Sequence, residues 1–441
     1  MTSTASPFTA RLARLFDVRP EETRGVLAGL LLFFLLFASY FMLRPVRETM
    51  GIAGGVENLQ WLFTATFVSS LLVLPLFGWL AARVPRRQIL PWTYGFFTLN
   101  LVAFAIGFLL DPDNVWAARV FYVWLSVFNL LSISLAWSVL ADLFASAQAR
   151  RLFAMMAGGA SLGGLTGPVL STLLVGTIGH AGLLMLSSAL LAGAIGAAYQ
   201  LQRWRDAHPL KDDETVARRR PLGGSPFAGA TAVLKSPFLI GIAVFVLLLA
   251  SVNTFLYFEQ AHLVKEAFPD RADQTRVFGT LDIVVQSLAI LTQVFFTGRI
   301  AQRLGVGILL VAVPLVVAAG FLWMAVAPVF AVFAVVMVIR RAGEYALVRP
   351  GREMLFTAVS PEAKYKAKNF IDTVVYRGAD ALSAWVKTLI DMIASHPALA
   401  ALIGAAISLV WGLTGGLLAL QQRRLEAAQA RSPGAPPPGL P

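Results

Sequence analysis

Cysteine is absent from the 441 residues, which excludes disulfides, thiolate chemistry and zinc-cysteine centres. Charge is scarce as well: 14% of the chain is Asp, Glu, Lys or Arg against 57% hydrophobic, a balance that soluble domains of ordinary composition do not show. The four histidines, His180, His208, His262 and His396, fall in loops or at the ends of apolar runs, where none is placed for chemistry. No Gly-Lys step precedes a Ser or Thr, so the phosphate loop of an ATP-hydrolysing pump is missing, and neither a two-His helix motif nor a nucleophile elbow occurs. No enzyme, cofactor or metal site is expected. A cleavable signal is lacking too, because Arg11, Arg14, Asp17, Arg19, Glu21, Glu22 and Arg24 precede any apolar core, so the first apolar run should stay as a helix.

What the chain has is long apolar runs. Crossing about 30 Å of hydrocarbon takes roughly 20 helical residues at about 1.5 Å each. Runs of that length lie near 25–43, 60–82, 88–110, 115–140, 152–178 and 181–200, then 237–257, 277–297, 306–327, 329–348, 368–394 and 398–420. The expected fold is an all-α membrane protein of twelve transmembrane helices in two pseudo-symmetric six-helix bundles. Residues 1–24 read as a cytoplasmic N-terminal segment, 25–200 and 237–420 as the two bundles, 201–236 as a basic cytoplasmic linker and 421–441 as a disordered tail. The net charge of +12 comes from basic residues between the spans, so topology rather than nucleic-acid binding explains it. Arg83, Arg86, Arg87, Arg150, Arg151, the linker, Arg299, Arg303, Arg352, Lys364, Lys366, Lys368, Arg423 and Arg424 all fall on one side of a twelve-span count. The positive-inside rule makes that side, with both termini, cytoplasmic in a cell (inner) membrane.

The two halves repeat. Gly78, Ala81 and Arg83 match Gly298, Ala301 and Arg303 at an offset of 220. FFLLFAS from Phe33 matches FVLLLAS from Phe245 at 212, and Leu143-Phe144 falls on Leu355-Phe356 at the same offset. Internal repeats of this kind mark carriers whose solute path lies between repeats.

The stretch GWLAARVPRR, Gly78 to Arg87, resembles the loop signature of the major facilitator superfamily, with Ala82 in place of its acid and Pro85 in place of its glycine. A second resemblance is to the ATP/ADP nucleotide translocases of plastids and intracellular bacteria and their free-living relatives. It rests on LRPVRETMG after the first span and on EYALVRPGREMLFTAVSPEAKYKAKNFID, in which Tyr345, Pro350, Arg352, Glu353, Met354, Lys366, Lys368, Ile371 and Asp372 match. The resemblance implies a carrier that exchanges nucleotides. The chain departs from that family in having no acid from Val115 to Ala141, where Ser126 and Asn129 are the polar candidates, and in placing Tyr257 where the family has an acid in helix seven.

Charges within spans cost about 2.5–3.5 kcal/mol each, so those retained face a cavity or a partner. Arg44, Arg47 and Glu48 end the first span, and the repeat sets Arg47 opposite Glu259, either as an outer gate pair or as two solvated helix-end charges. Arg83 and Arg303 are the matching candidates on the other side. Arg340 and Glu344, four apart, share one face of helix ten beside Arg341, and Asp372, Arg377, Asp380 and Lys387 draw a stripe along helix eleven. With Asn129, Tyr257, Lys366 and Lys368, these either hold an anionic solute or neutralise one another to lock the bundle. Asp282, one turn from Gln286, and Asp372 are candidates for coupling, Asp282 equally for an interhelical contact. Gly159, Gly163 and Gly167 recur every fourth residue, a stripe for close helix packing.

Three functional readings follow: exchange of a small anion, nucleotides first; proton-coupled carriage of another solute; and a membrane scaffold without transport, which has little reason to keep charges in helices ten and eleven. The expected partners are the lipid bilayer and a small anionic solute, a nucleotide first, with no nucleic acid, and a monomer is favoured. Single cysteines introduced at Arg218 and near the C-terminus should react from the same face of the bilayer with an impermeant thiol reagent; opposite faces would refute the twelve-span count.

Overall fold

The computed structural model describes residues 18–144, 146–209, 229–393 and 397–431. The N-terminal stretch, most of the linker and the Pro-rich tail, read above as cytoplasmic segment, linker and disorder, lie outside the described residues. All regular structure among the described residues is helical. Eight segments are long and apolar enough to cross a bilayer, and two of them, Arg151–Ala207 and Arg271–Val326, run to 57 and 56 residues. A helix of 56 residues would be about 84 Å long, far beyond one crossing. Each is broken by a glycine: Gly179 has φ 64° and Gly305 φ 78°, left-handed values that side chains with a Cβ avoid. The two breaks make four spans of two segments. Helices ten and eleven, each interrupted by a π-helical turn and each carrying charges, complete twelve.

We number them α1 (Thr23–Ala53), α2 (Leu59–Arg83), α3 (Arg86–Leu110), α4 (Val115–Leu143), α5 (146–178), α6 (180–207), α7 (Pro237–Ala267), α8 (271–304), α9 (306–326), α10 (330–355), α11 (361–393) and α12 (Pro397–Arg431). Several run longer than their apolar cores, α1 to Ala53 and α7 to Ala267 in particular. Hydropathy marks only the length that lipid covers, whereas backbone hydrogen bonding continues as long as caps allow. Starts are capped where the sequence supplies an oxygen: Asn114 accepts from the Ala117 N–H, Ser236 from Leu239 with Pro237 following, and Asp270 from Ala272 and Asp273. Large apolar side chains such as Leu72, Trp92, Leu110, Val294 and Leu413 are exposed, as lipid-facing surfaces require.

The chain forms two compact units. One comprises Met1–Met50, Pro75–Gly223 and Thr275–Thr280; the other comprises Gly51–Leu74, Gly224–Gln274 and Leu281–Pro441. The division therefore does not follow the linker alone. Helix α2 changes unit at Pro75, a residue that removes one helical hydrogen bond, and the early turns of α8 go with the first unit.

In the first unit α5 lies against α1 with no side chain between their backbones. A Cβ at Gly159 or Gly163 would fall on the Leu30 or Phe34 carbonyl oxygen, and one at Gly167 would come within 2.6 Å of the Met42 nitrogen. Ser39 and Ser187 bond hydroxyl to hydroxyl at 2.7 Å, and Thr49 does the same with Thr275, which also meets His180 Nε2 at 2.9 Å. At the start of α1, Glu22 accepts from Gln148 (2.9 Å), Arg151 (3.0 Å) and the Arg19 N–H (3.1 Å). Burial pushes its carboxyl up, but those bonds outweigh burial and hold it below the usual carboxylate range. An aromatic cluster of Phe97, Phe104, Phe121, Trp124 and Phe128 joins α3 to α4.

In the second unit α9 and α12 pack along most of their length, and α7 lies between α11 and α12. Its core holds Phe245, Phe255, Phe321, Phe333 and Trp411, all fully buried. The early residues of α2 join this unit through Trp61 against Trp385 (ring centroids 4.8 Å apart) and Phe63 against Tyr257 (5.2 Å).

Gly163→Leu drives a side chain into the α1 backbone and should destabilise by about 1–3 kcal/mol, read as a lower melting temperature of the detergent-solubilised protein. An unchanged melting temperature would show that α1 and α5 are not in backbone contact.

Candidate functional site

The second unit concentrates ionised side chains on α7, α8, α10 and α11. Arg340 is ten residues into α10, about 15 Å from its first residue and so deep in the span. It is 5% exposed and donates to Glu344 Oε2 at 3.0 Å and to the Asn253 carbonyl oxygen on α7. Glu344, 4% exposed, also accepts from Arg349 at 3.3 Å. One carboxylate thus serves two guanidiniums. Arg341, one residue from Arg340 and so turned by about 100°, leaves this group and pairs with Asp282 of α8 at 2.5 Å. The buried Nε atoms of Arg340 and Arg341 have no hydrogen-bond partner.

Three π-helical turns lie in this unit, at Gln293–Thr297, Glu344–Val348 and Ile371–Val375. Such turns free backbone carbonyls and gather at functional positions. Those of α8 and α10 are stitched together: Gln293 Nε2 donates to the Tyr345 carbonyl (2.9 Å) and the Thr297 hydroxyl to that of Ala346 (2.7 Å). Nothing in the apolar periodicity announces them. The turn at 344–348 also explains Arg349: residues five apart on an α-helix point about 140° away from each other, and an i→i+5 turn brings them to one side.

On α11, Asn253 Nδ2 donates to the Tyr376 hydroxyl at 3.0 Å, the Thr254 hydroxyl reaches Asp380 at 3.4 Å, and Arg377 lies 3.8 Å from Asp380. Ser251 and Ser383 join hydroxyls at 2.8 Å. Among these deep groups, Arg340, Arg341, Arg349 and Arg377 face Glu344, Asp282 and Asp380, so the set carries one net positive charge.

The structure thus brings Arg340, Glu344, Arg377, Asp380, Arg341 and Asp282 into one region of one unit and sends other sequence candidates elsewhere. Of the outer pair expected of Arg47 and Glu259, Glu259 takes Lys387 of α11 at 3.0 Å; Lys387 is buried and needs its charge met, and Asp391 meets it as well at 2.6 Å. Arg47 lies over the Tyr122 ring at 3.8 Å and meets Glu48 at 3.1 Å. Arg44 stands over Phe41, and Tyr257 packs on Phe63. The Asn129 amide oxygen is buried with no hydrogen-bond partner. Asp372 pairs with Arg352 at 3.0 Å and Lys368 with Glu353 at 2.6 Å, away from Arg340 along the same helices; the Lys366 side chain lies outside the described residues. Arg83 stacks on Trp79 (4.2 Å), and Arg303 is exposed. Sequence reasoning missed Arg349, Asn253 and Tyr376. Arg349 stood in plain view beside Pro350, but only the π-turn aims it at Glu344.

Ion pairs held in register between membrane-crossing helices are the arrangement of a solute carrier. The chain belongs to the Major Facilitator Superfamily, whose profile matches residues 25–364, and it is accordingly a secondary transporter and not an enzyme. No curated protein matches it in sequence. Solved carriers share its fold. A bacterial homolog of the human lysosomal transporter Spinster, inward-facing and unoccupied, is 15% identical over 94% of this chain and 100% of that one, with a TM-score of 0.59. A bacterial homologue of the iron transporter ferroportin, inward-facing, is 14% identical over 91% and 98%, TM-score 0.62. A POT family transporter in complex with a thioalcohol-conjugated peptide is 11% identical over 92% and 96%, TM-score 0.61.

Asp282→Asn leaves Arg341 charged and buried without its counter-ion, a loss of about 3 kcal/mol. The melting temperature should fall, and Asp282→Asn with Arg341→Met should recover most of it; a double variant no better than the single would show that the pair is not what anchors α8 to α10.

Proposed function

We propose that this transporter exchanges small anions by alternating access, with nucleotides the first class to test. The observation that carries the reading is Glu344, a single buried carboxylate shared by Arg340 and Arg349 deep in α10. Two guanidiniums on one carboxylate leave an excess positive charge beside the buried Arg340 and Glu344, where charge is costly. A solute bringing negative charge relieves that cost, and the guanidinium fork suits carboxylate or phosphate oxygens. Loading from either side favours occlusion while an empty site opposes it, which is the condition for exchange rather than leak. The resemblance of 344–372 to nucleotide translocases, with Lys366 and Lys368 in the matching run, supports nucleotides among the anions. The placement that goes with this reading is a cell (inner) membrane with both termini and the basic loops cytoplasmic.

A second reading has its own observation. Protonating Glu344 would release both arginines at once, so a proton could do what a counter-anion does, making the chain a proton-coupled carrier of another solute. Asp282 and Asp372, each on an arginine, are further coupling candidates.

Proteoliposomes loaded with ATP, ADP, inorganic phosphate or nothing separate the readings. Exchange predicts uptake of labelled ATP at least about tenfold faster into loaded vesicles than into empty ones, undiminished by an uncoupler. Uptake abolished by the uncoupler would transfer the case to proton coupling. No uptake with any internal anion would remove nucleotides as substrates.

A further inference from the structure

We propose that Arg349 and Tyr376 form the contact pair for the oxyanion group of the solute, with Glu344 as the internal carboxylate that holds its place. The inference rests on the anion reading above and gives it residues.

Three features of Arg349 set it apart from Arg340. Its side chain, at the end of the apolar run of α10, is 55% exposed, whereas that of Arg340 is 6% exposed. Its bonds to Glu344 are long, 3.4 Å from Nε and 3.3 Å from Nη2, beyond the roughly 2.7–2.9 Å of a tight charged pair. Nη1 makes no hydrogen bond among the described residues, while the guanidinium stacks over the Tyr345 ring at 4.4 Å. A stacked guanidinium keeps its in-plane N–H groups for a ligand edge-on. Arg340 is structural by comparison: Glu344 and Asn253 enclose it.

Tyr376 supplies the second donor. Its hydroxyl accepts from Asn253 Nδ2, and the Asn253 oxygen is in turn fixed by Arg340. The amide therefore cannot turn round to accept, and the Tyr376 O–H proton is left with no acceptor. Arg340 links the two groups, since it donates both to Glu344, which Arg349 also meets, and to the Asn253 oxygen beside Tyr376. Asn253 is a positioning residue, which makes the phenol a donor rather than an acceptor. Two donors, one charged and one neutral, joined through Arg340 to the same Glu344 carboxylate, make a receptor for a carboxylate or phosphate group. The incoming oxyanion takes Arg349 from Glu344.

The test uses the full chain purified in detergent, with binding of inorganic phosphate, ATP and succinate measured by calorimetry and folding checked by melting curve. The three probes separate a free phosphate, a phosphoryl ester and a carboxylate as the source of the recognised group. For whichever probe binds wild type, Arg349→Lys and Tyr376→Phe should each weaken binding by about tenfold or more. Glu344→Gln, which removes the competing carboxylate, should tighten it. If no probe binds wild type, the anion reading itself fails. If a probe binds wild type and the folded variants alike, the contact pair is refuted while the anion reading stands. Should Arg349→Lys not fold, Tyr376→Phe, which deletes one oxygen atom, decides by itself.

Discussion

An ion at the depth of lipid tails has to be met by another ion, and in this protein that requirement organises the second unit. Glu344 is met twice, by Arg340 and Arg349; Arg341 is met by Asp282, Lys387 by Glu259 and Asp391, and Arg377 by Asp380. These pairs tie α10 to α8 and α11 to α7 and so hold the helices in register. Replacing such a pair with apolar groups need not cost stability, but removing one partner does. The cluster is therefore framework first, whatever solute it serves.

The π-turns belong to the same logic. A helix of uniform pitch would turn Arg349 away from Glu344, and the extra residue at 344–348 brings it back. The carbonyls loosened by the turn are taken up by Gln293 and Thr297 from the π-turn of α8, so two local irregularities satisfy each other. Backbone that departs from α geometry at this depth is tolerated where protein encloses it.

The internal repeat kept geometry while chemistry diverged. Ser39 and Ser251, at the repeat offset of 212, each form a buried hydroxyl pair, with Ser187 and with Ser383. At that offset Gly167 and Pro168 of α5 fall on Ala379 and Asp380 of α11. The first unit answered with glycines that bring α5 onto α1 and with an aromatic cluster on α3 and α4. The second placed an acid where the first has proline.

Length and composition determined the solvent and the number of spans, because an apolar run of about 20 residues has one inexpensive place to be; the structure put the two breaks at Gly179 and Gly305, whose φ values of 64° and 78° suit a residue without Cβ. The i,i+4 rule likewise put Arg340 beside Glu344. Periodicity was silent on the rest. It could not tell that Glu259 meets Lys387, since that depends on how α7 packs on α11. It did not show Arg349 turned by a π-helical residue, or Asn253 fixing the Tyr376 hydroxyl as a donor. Those partnerships join helices far apart in the chain, and only the packing of α7, α8, α10 and α11 brings them within bonding distance.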